Sequence, residues 1–268
     1  MKLCFSTLGC TEMSLCEILT LANDYGISAI EIRGIGGIMD NASIPELSLE
    51  NTDATLSLLR RSSVTPAILG TSCSFHDPSK YEKNIREGET ALEIAKRLGI
   101  YGIRVFGNRC PEDDPQCIER VASALRHLCR YAPDTQVLLE IHGDFNRTET
   151  VAPLLDLMKD EKNFGLIWDI EHSHKIYGKN WFEFYSAIRP YIHHIHVKDF
   201  SDRLGAHTLI GEGDVPVTDI AAQLIKDGYD RYFSLEWEKK WHPELPEFPR
   251  ALDSFLATMS TIKEPANQ

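Results

Sequence analysis

The sequence lacks the features that would place it in a membrane or outside the cell. Its 268 residues contain no apolar run near the ~20 residues that a membrane helix needs. The N-terminus, MKLCFSTLGC, lacks the longer apolar core of a secretion signal. None of the seven cysteines forms a C-x-x-C pair, and their number is odd, which is typical of reduced thiols. These absences predict a cytoplasmic protein with no membrane partner.

The chain also lacks an excess of basic residues. It has 28 lysines and arginines against 40 acidic residues, a formal net charge of −12. A sequence-independent nucleic-acid binder needs a basic surface to displace counterions. The composition therefore argues against a nucleic-acid partner, although a local basic patch remains compatible with it.

No Pro-, Gly- or Ser-rich linker divides the chain, so we expect one domain over residues 1–268. Short β-branched runs alternate with amphipathic helical segments, the first of which has Ser14 as a candidate N-cap. The eight predicted strands are 2–7, 28–34, 65–72, 102–107, 136–142, 164–170, 192–198 and 232–238. This alternation, near the typical ~250 residues, predicts an α/β fold of the (β/α)8 TIM-barrel type. A doubly wound sheet is the alternative, but no G-x-G-x-x-G follows the first strand.

Ionisable residues recur near the ends of four consecutive predicted strands. Side chains alternate along a strand, and the outer face of a barrel strand packs against helices and should be apolar. In QVLLEIH, Val137 and Leu139 fit the outer face, so Glu140 and His142 should face the lumen. The same alternation in the next three strands places further ionisable groups inside, namely Asp169, His196 and Glu236.

The stretch YIHHIHVKDF shows how the alternation separates similar residues. It predicts that His194, His196 and Lys198 point into the barrel and that His193 points toward the helices. His194 would be a hydrogen-bonded core residue, because it lies deeper than His196. Lys198 could stabilise an oxyanion or a phosphate, or form a salt bridge with Asp169 or Glu236.

Earlier strands bring two more charges to the inner face. Glu31 and Arg104 could bind substrate hydroxyls across the lumen, or could pair with each other. His142 could contact substrate or support a metal ligand. His76 follows the third strand, where loops enter the mouth of a barrel, and is a further candidate for the pocket.

A divalent cation would explain why the four strand-end groups come together. Burying Glu140, Asp169, His196 and Glu236 without compensation would be costly. Three carboxylates and one imidazole suit Mn²⁺, Mg²⁺ or Co²⁺, with Zn²⁺ as an alternative. Any one of these residues could instead belong to a salt-bridged polar layer. Their coincidence on four successive strands favours the binding of one divalent metal ion.

The segments LLEIHGD, WDIEHSH, HIHVKD, IGEGDVP and FSLEWE, in that order, resemble the xylose isomerase-like barrel superfamily. This superfamily contains sugar phosphate isomerases and epimerases, tagatose and psicose 3-epimerases, inosose dehydratases and endonuclease-IV-type nucleases. The resemblance covers most of the chain. It implies a small carbohydrate substrate, allows a homo-oligomer, and implies the metal ligands Glu140, Asp169, His196 and Glu236. As in the 3-epimerases, Glu140 and Glu236 would also be the catalytic acid/base pair.

The resemblance also implies substrate contacts. The histidine of the family's D-x-x-H motif matches His172, and an arginine beyond the metal-binding histidine matches Arg203, with one extra residue in the spacing. The glutamate expected six residues after the first metal ligand is replaced by Asn146, so the chain departs from ketose 3-epimerases. The full set of candidate substrate-binding residues is His142, His172, Lys198, Arg203, His76, Arg104 and Glu31.

These observations predict a divalent-metal-dependent isomerase or epimerase of a small sugar, sugar phosphate or keto-polyol. It would abstract a proton next to a carbonyl through a metal-bound enediolate. An inosose-type dehydratase, a lyase, uses the same metal site and is the alternative. An endonuclease-IV-type abasic-site nuclease is less favoured. It needs three zinc ions; His76, His172 and His207 could supply ligands, but Gly205 replaces the aspartate expected two positions before His207.

Overall fold

Eight parallel strands close into a barrel in the computed structural model, which describes residues 1–262. Around the barrel the strands follow the order β1-β10-β7-β6-β5-β4-β3-β2, and a separate antiparallel hairpin, β8-β9, lies between the seventh and eighth barrel strands. The strands are β1 (Lys2–Ser6), β2 (Ala29–Ile32), β3 (Thr65–Ser74), β4 (Gly102–Phe106), β5 (Gln136–Glu140), β6 (Phe164–Asp169), β7 (Ile192–Val197), β8 (Asp199–Ser201), β9 (Ala206–Thr208) and β10 (Tyr232–Leu235). The predicted (β/α)8 barrel is confirmed.

Helices follow the barrel strands and cover the outside of the barrel. They are α1 (Leu15–Asp24), α2 (Thr52–Ser62), α3 (Tyr81–Leu98), α4 (Cys117–Tyr131), α5 (Thr148–Met158), α6 (Ile170–Tyr177), α7 (Trp181–Ile188), α8 (Val217–Lys226) and α9 (Phe248–Ser260). Short 3-10 helices form at Thr7–Cys10, Asn41–Ser43, Pro45–Leu47, Pro78–Lys80, Gly143–Asn146, Gly178–Asn180 and Arg189–Tyr191. No helix within residues 1–262 combines the length and apolar character that crossing a bilayer requires.

Local sequence explains where these helices begin and end. Ser14 caps α1 through a reciprocal capping box with Glu17, in which each side chain accepts the other residue's backbone N–H. Helix α3 ends at Gly99, whose φ of +68° is a left-handed conformation that glycine adopts without strain. The first and third helices are therefore bounded by their own residues.

The alternation of side chains produces two apolar clusters separated by the barrel wall. The outer cluster lies between strands and helices and includes Val137, Leu139 and Trp168, as their position in the sequence predicts. A smaller cluster fills the lower lumen and consists of Cys4, Ala29, Ala67, Ile68, Leu138 and Ile167. Mostly small and branched side chains thus close the barrel below the level of the ionisable residues.

Several strands end earlier than the sequence predicts. Strand β5 ends at Glu140, β7 at Val197 and β10 at Leu235, so His142, Lys198 and Glu238 lie in the loops beyond the strands. Strand β3 instead extends to Ser74. The predicted domain, 1–268, includes six residues outside the described range, and its bounds remain a prediction.

The prediction that His193 faces the helices is wrong. The β6–β7 pairing shifts register between Leu166 and Ile167, which places an additional residue in β7. The His193 ring occupies the space that a side chain at Gly165 would fill, and its Nδ1 lies 2.9 Å from the hydroxyl of Tyr101. His193 therefore lies at the floor of the barrel, at the N-terminal ends of the strands.

Candidate active site

Four ionisable residues meet at the C-terminal ends of neighbouring strands. Asp169 and His196 are direct partners in the β6–β7 register, Glu140 is the last residue of β5, and Glu236 follows β10 directly. Each offers an oxygen or nitrogen atom within 4.8 Å of the other three. All four are at most 2% exposed. The structure thus brings together the four residues that the sequence analysis selected; we call them the central cluster.

Arg104 links the two glutamates of the central cluster. One of its nitrogens, Nη1, lies 3.1 Å from Glu140 Oε2 and 3.1 Å from Glu236 Oε1. The same nitrogen is 4.0 Å from Glu31 Oε1. Burial opposes the charge of Arg104, but the surrounding carboxylates outweigh it and raise the pKa of the guanidinium. Arg104 is therefore a permanent cation between the two glutamates, rather than a partner of Glu31 alone.

Lys198 forms the second cationic link. Its Nζ lies 2.7 Å from Asp169 Oδ2, 2.8 Å from Glu236 Oε2 and 2.9 Å from Glu238 Oε1. Burial is again outweighed by the carboxylates, which raise the pKa of Lys198 well above its ordinary value. Conversely, burial of Glu236 is outweighed by His196, Lys198 and Arg104, which lower the pKa of this carboxyl well below its usual range. The salt bridges considered for Lys198 from the sequence are present in the structure.

Glu31 corrects one sequence expectation, because it lies beneath the central cluster and orients it. Its Oε2 accepts hydrogen bonds from His194 Nε2 at 3.1 Å and from His196 Nε2 at 2.9 Å. The residue is 0% exposed, and this oxygen is engaged by the two imidazoles rather than directed to the mouth. The contact directs His196 Nδ1 toward Glu140 Oε1 and Glu236 Oε2, at 3.6 Å and 3.4 Å. A carboxylate behind a histidine is the usual support of a metal ligand.

The donor atoms of the central cluster fit a divalent cation. Among residues 1–262, His196 Nδ1 has no hydrogen-bond partner although it is buried. Glu140 Oε2 and Asp169 Oδ2 likewise make no hydrogen bond of good geometry within the described chain, and their nearest cations are Arg104 and Lys198. Buried polar atoms are rarely left in this state. Three carboxylates and one imidazole suit a hard or borderline cation.

Two of the predicted substrate-binding histidines form one wall above the central cluster. The rings of His142 and His172 lie 4.5 Å apart, edge to face. His172 Nε2 is 3.7 Å from Asp169 Oδ2. Burial, aided by Lys198 and His142, lowers the pKa of His172 to about 3, so this imidazole is neutral near pH 7. A neutral imidazole can both donate and accept a hydrogen bond to a substrate hydroxyl.

His76 is connected to this wall through two polar side chains. His142 Nδ1 lies 2.9 Å from Asn108 Oδ1, and Asn108 Nδ2 donates to Ser74 Oγ at 2.8 Å. Ser74 Oγ is in turn 2.8 Å from His76 Nδ1. The structure therefore places His76 at the rim, next to residues that contact the cavity rather than in the central cluster.

The structure does not bring Arg203 to the site. This residue is exposed in the turn between β8 and β9, because the segment after Lys198 folds into a hairpin that the sequence analysis did not anticipate. The backbone N–H groups of the glycine-rich IGEGD segment (210–214) are likewise taken up by the chain itself. The Asp199 carboxylate accepts the backbone N–H groups of Gly211, Gly213 and Val215 at 2.8, 3.0 and 3.1 Å.

A cavity of about 350 Å³ opens above the central cluster and is lined by Glu140, Glu236, Arg104 and His142. Its wall also contains Arg33, Asn108, Phe106, Glu238 and Trp241. Two polar residues of this region were not predicted from the sequence: Asn108, which lines the cavity, and the fully buried Glu171, whose Oε2 lies 4.0 Å from Lys198 Nζ. A signal for Glu171 existed: Asp169 is an N-cap that accepts the N–H groups of Glu171 and His172, so the chain turns into α6 here instead of continuing as a strand.

The protein is a closed (β/α)8 barrel with an ionisable cluster at the C-terminal ends of its strands. Enzymes with this fold carry their active sites at this face. A sequence profile of the xylose isomerase-like TIM barrel family matches residues 19–258, and the chain belongs to this family. No curated protein gives a significant match.

Solved structures share the whole barrel with this chain. The probable 3-DHS dehydratase AsbF from Bacillus anthracis has a TM-score of 0.76 at 20% identity, with 100% of each chain covered. A D-tagatose 3-epimerase-like protein has 0.74 at 21%, with 98% of each chain covered. A xylose isomerase-like TIM barrel protein from Mycobacterium smegmatis, in complex with magnesium, has 0.70 at 15%, covering 97% of this chain and 96% of that one. At these identities the likeness shows the fold.

Proposed function

We propose that the protein is a divalent-metal-dependent isomerase or epimerase of a small sugar, sugar phosphate or keto-polyol. The observation that carries this proposal is the placement of Glu140 and Glu236. Both carboxylates lie 3.1 Å from the same nitrogen of Arg104, although they come from β5 and the end of β10, which two other strands separate. Two carboxylates therefore approach one point in the lumen from different sides.

The cation would be held by the four residues of the central cluster, which are Glu140, Asp169, His196 and Glu236. A divalent cation there would act as a Lewis acid and stabilise negative charge on the oxygens next to the reacting carbon. The carboxylate-rich set favours Mn²⁺, Mg²⁺ or Co²⁺ over a structural zinc. A family neighbour in complex with magnesium supports this choice of metal class.

The remaining chemistry belongs to side chains of this chain. One of Glu140 and Glu236 would remove the proton next to the carbonyl, and the other would return one from the opposite side. Return to the same carbon gives an epimer, and return to the neighbouring carbon gives an aldose–ketose isomer. Arg104 keeps a positive charge 3.1 Å from both carboxylates. Together with His196 and Lys198 it lowers the pKa of Glu236 well below its usual range, which favours the ionised, proton-accepting form of that carboxyl. His142 and His172 would bind substrate hydroxyls.

Dehydration of a keto-polyol is the second candidate, and the cations of the cavity favour it. Arg33 and Arg104 both line the cavity, and Lys198 lies beside Glu236 and Glu238. Such a wall suits a substrate that carries a carboxylate or another anionic substituent. Abstraction of a proton by Glu140 or Glu236 followed by loss of the β-hydroxyl would give an unsaturated ketone. A neighbour described as a probable 3-DHS dehydratase supports keeping this reaction in view.

The reaction class is tested by incubation of the metal-loaded protein in D₂O with a panel of ketoses and keto-polyols. Isomerase or epimerase activity incorporates deuterium at the carbon next to the carbonyl, whereas dehydration produces an enone absorbance. Removal of the metal with a chelator should abolish both, and Mn²⁺ should restore them. Absence of exchange and of enone over the whole panel would contradict the proposal. An abasic-site oligonucleotide should remain intact; its cleavage would support the nuclease instead.

Metal binding is tested by two substitutions on the same strand. His196→Gln should abolish binding of Mn²⁺ at the central cluster, because it removes the imidazole whose Nδ1 points at Glu140 and Glu236. His193→Gln should leave binding unchanged, because His193 lies at the opposite end of the barrel. Equal metal content in the two variants, measured after gel filtration, would show that the assignment of β7 is wrong. Cytoplasmic location and a homo-oligomer remain predictions, which cell fractionation and light scattering would check.

A further inference from the structure

A second group of ligand-type side chains lies at the rim of the barrel, outside the central cluster. It consists of His207 in β9 and of Glu238 and His242 in the loop after β10. His207 Nε2 lies 3.8 Å from Glu238 Oε2, and His242 Nε2 lies 3.9 Å from the same oxygen. These separations are longer than hydrogen bonds, and the two imidazole nitrogens converge on one carboxylate oxygen. We call this group the rim cluster.

The other ring nitrogens of both histidines face carboxylates. His242 Nδ1 lies 3.2 Å from Glu244 Oε1, and His207 Nδ1 lies 3.6 Å from Glu171 Oε2. A carboxylate behind a metal-binding histidine fixes the tautomer and leaves Nε2 free to bind. His242 has this hydrogen bond, and Glu171 occupies the corresponding position behind His207 at a longer distance. Two histidines with the same arrangement, facing one carboxylate, are difficult to explain as ordinary surface residues.

Glu171 supplies an independent observation. The residue is 0% exposed, and neither of its carboxylate oxygens makes a hydrogen bond of good geometry to the described part of the chain. Its Oε1 pairs with Lys175, whereas its Oε2 lies 3.6 Å from His207 Nδ1 and 4.0 Å from Lys198 Nζ. A buried carboxylate of this kind is costly unless it has a role such as orienting an imidazole.

Glu238 connects the rim cluster to the central cluster without sharing a ligand atom. Its Oε1 accepts the hydrogen bond of Lys198 at 2.9 Å, which leaves Oε2 directed at the histidines. None of His207, Glu238 and His242 belongs to the four residues of the central cluster. The two sites also differ in chemistry, because one is rich in carboxylates and the other in imidazoles.

We propose that the rim cluster is a second divalent-cation site, with His207 Nε2, Glu238 Oε2 and His242 Nε2 as ligands. Two imidazoles and one carboxylate are the ligand set that favours Zn²⁺, and three protein ligands leave a fourth position open to solvent or substrate. Glu171 and Glu244 orient the two histidines. This site is independent of the proposed function, since it requires none of the four central ligands.

The test counts Zn²⁺ equivalents on the full-length, chelator-stripped protein by competition with a chromogenic chelator. Wild type should bind two ions per chain. His242→Gln should bind one, retained at the central cluster, and His196→Gln should bind one, retained at the rim. His127→Gln is the matched control, because His127 is an exposed histidine paired with Glu89 on the outside of the barrel, and it should bind two. His242 is itself partly exposed in a loop, so its replacement should leave the far-UV circular dichroism unchanged.

Glu244→Gln supplies a finer test of the same site. Replacing a carboxylate behind a metal-binding histidine typically lowers the metal affinity by about 10- to 100-fold. The Zn²⁺ affinity of the rim cluster should therefore fall by this factor, and that of the central cluster should not change. The rim site would be ruled out if His242→Gln bound two Zn²⁺ equivalents. It would also be ruled out if wild type bound a single equivalent and His242→Gln still bound it. A single equivalent that is lost in His242→Gln and kept in His196→Gln would support the rim site and contradict the proposed function.

Discussion

The upper and lower halves of the barrel lumen have opposite chemistry although the same strands build both. Leu138 and Glu140 are two residues apart on β5, and Ile167 and Asp169 are two residues apart on β6. In each pair the first residue belongs to the lower apolar cluster and the second to the central cluster. The side chains that line the lumen therefore change from apolar to ionisable over two residues of each strand.

The apolar lower half strengthens the electrostatic interactions of the upper half. The lower half contains Cys4, where burial, together with the nearby Glu31, raises the pKa of the thiol far above its ordinary value, so that it behaves as a small apolar side chain. Such an apolar layer strengthens electrostatic interactions above it. The upper half holds the carboxylates Glu140, Asp169 and Glu236 with only Arg104 and Lys198 as permanent cations in contact with them among the described residues. A bound cation would complete this balance.

The substitution with the largest expected effect changes only the upper half of the lumen. Glu140→Gln removes one of the two proposed proton-transfer groups, and loss of such a group typically slows a reaction about 10²- to 10⁴-fold. We expect deuterium exchange into the substrate to fall by this factor, and a far-UV circular dichroism spectrum like that of wild type should show that the variant is folded.

The matched control for this prediction is Glu149→Gln, an exposed glutamate in the first turn of α5, which should exchange at the wild-type rate. Metal content must be measured in parallel, since Glu140 is also a proposed ligand. An exchange rate for Glu140→Gln within a few-fold of wild type, at full metal occupancy, would remove Glu140 from the proton-transfer step.

The complementary substitution breaks the lower half. Leu138→Ala leaves a cavity in a fully buried cluster, and such changes typically cost about 2–5 kcal/mol of unfolding free energy. Urea unfolding should show this loss, while exchange activity at low temperature should stay within about tenfold of wild type. Leu157→Ala, on the exposed face of α5, should change stability by at most about 0.5 kcal/mol. A Leu138→Ala protein that is stable and inactive would mean that the two halves are not separable.

The upper half was predictable from the sequence because strand alternation is a local property. The apolar residues Val137, Leu139 and Trp168 had to face the helices, and this fixed the direction of Glu140 and Asp169. Parallel strands then bring their C-terminal ends to one rim without further information. The fold and the central cluster follow from these two rules.

Loops do not obey the alternation, and there the predictions failed. Arg203 was placed by counting from His196, but the intervening residues form a hairpin whose carboxylate, Asp199, is held by the backbone of the next loop. The same hairpin brings His207 to the rim beside Glu238. Neither position can be found from spacing, because both depend on hydrogen bonds between segments distant in the sequence.

His193 shows that the alternation can also fail inside a strand, and it offers the smallest and finest test of the comparison. Its ring fills the floor beside Gly165, where burial, aided by Arg231, lowers its pKa to about 4. In the unfolded chain the ordinary pKa is about 6.5, so between pH 6.5 and pH 4 the unfolded state binds a proton that the folded state does not. Folding stability supported by His193 must therefore decrease as the pH falls through this window.

The difference in unfolding free energy between wild type and His193→Gln should consequently shrink by about 2 kcal/mol from pH 7.5 to pH 5, because glutamine does not titrate. Urea unfolding at several pH values measures this difference, and His127→Gln on the outer surface is the control. A difference that stays constant with pH would place His193 in water rather than in the floor. The floor of the barrel would then begin one residue later in β7, at His194, and the apolar lower half would be shorter than the contacts of Gly165 indicate.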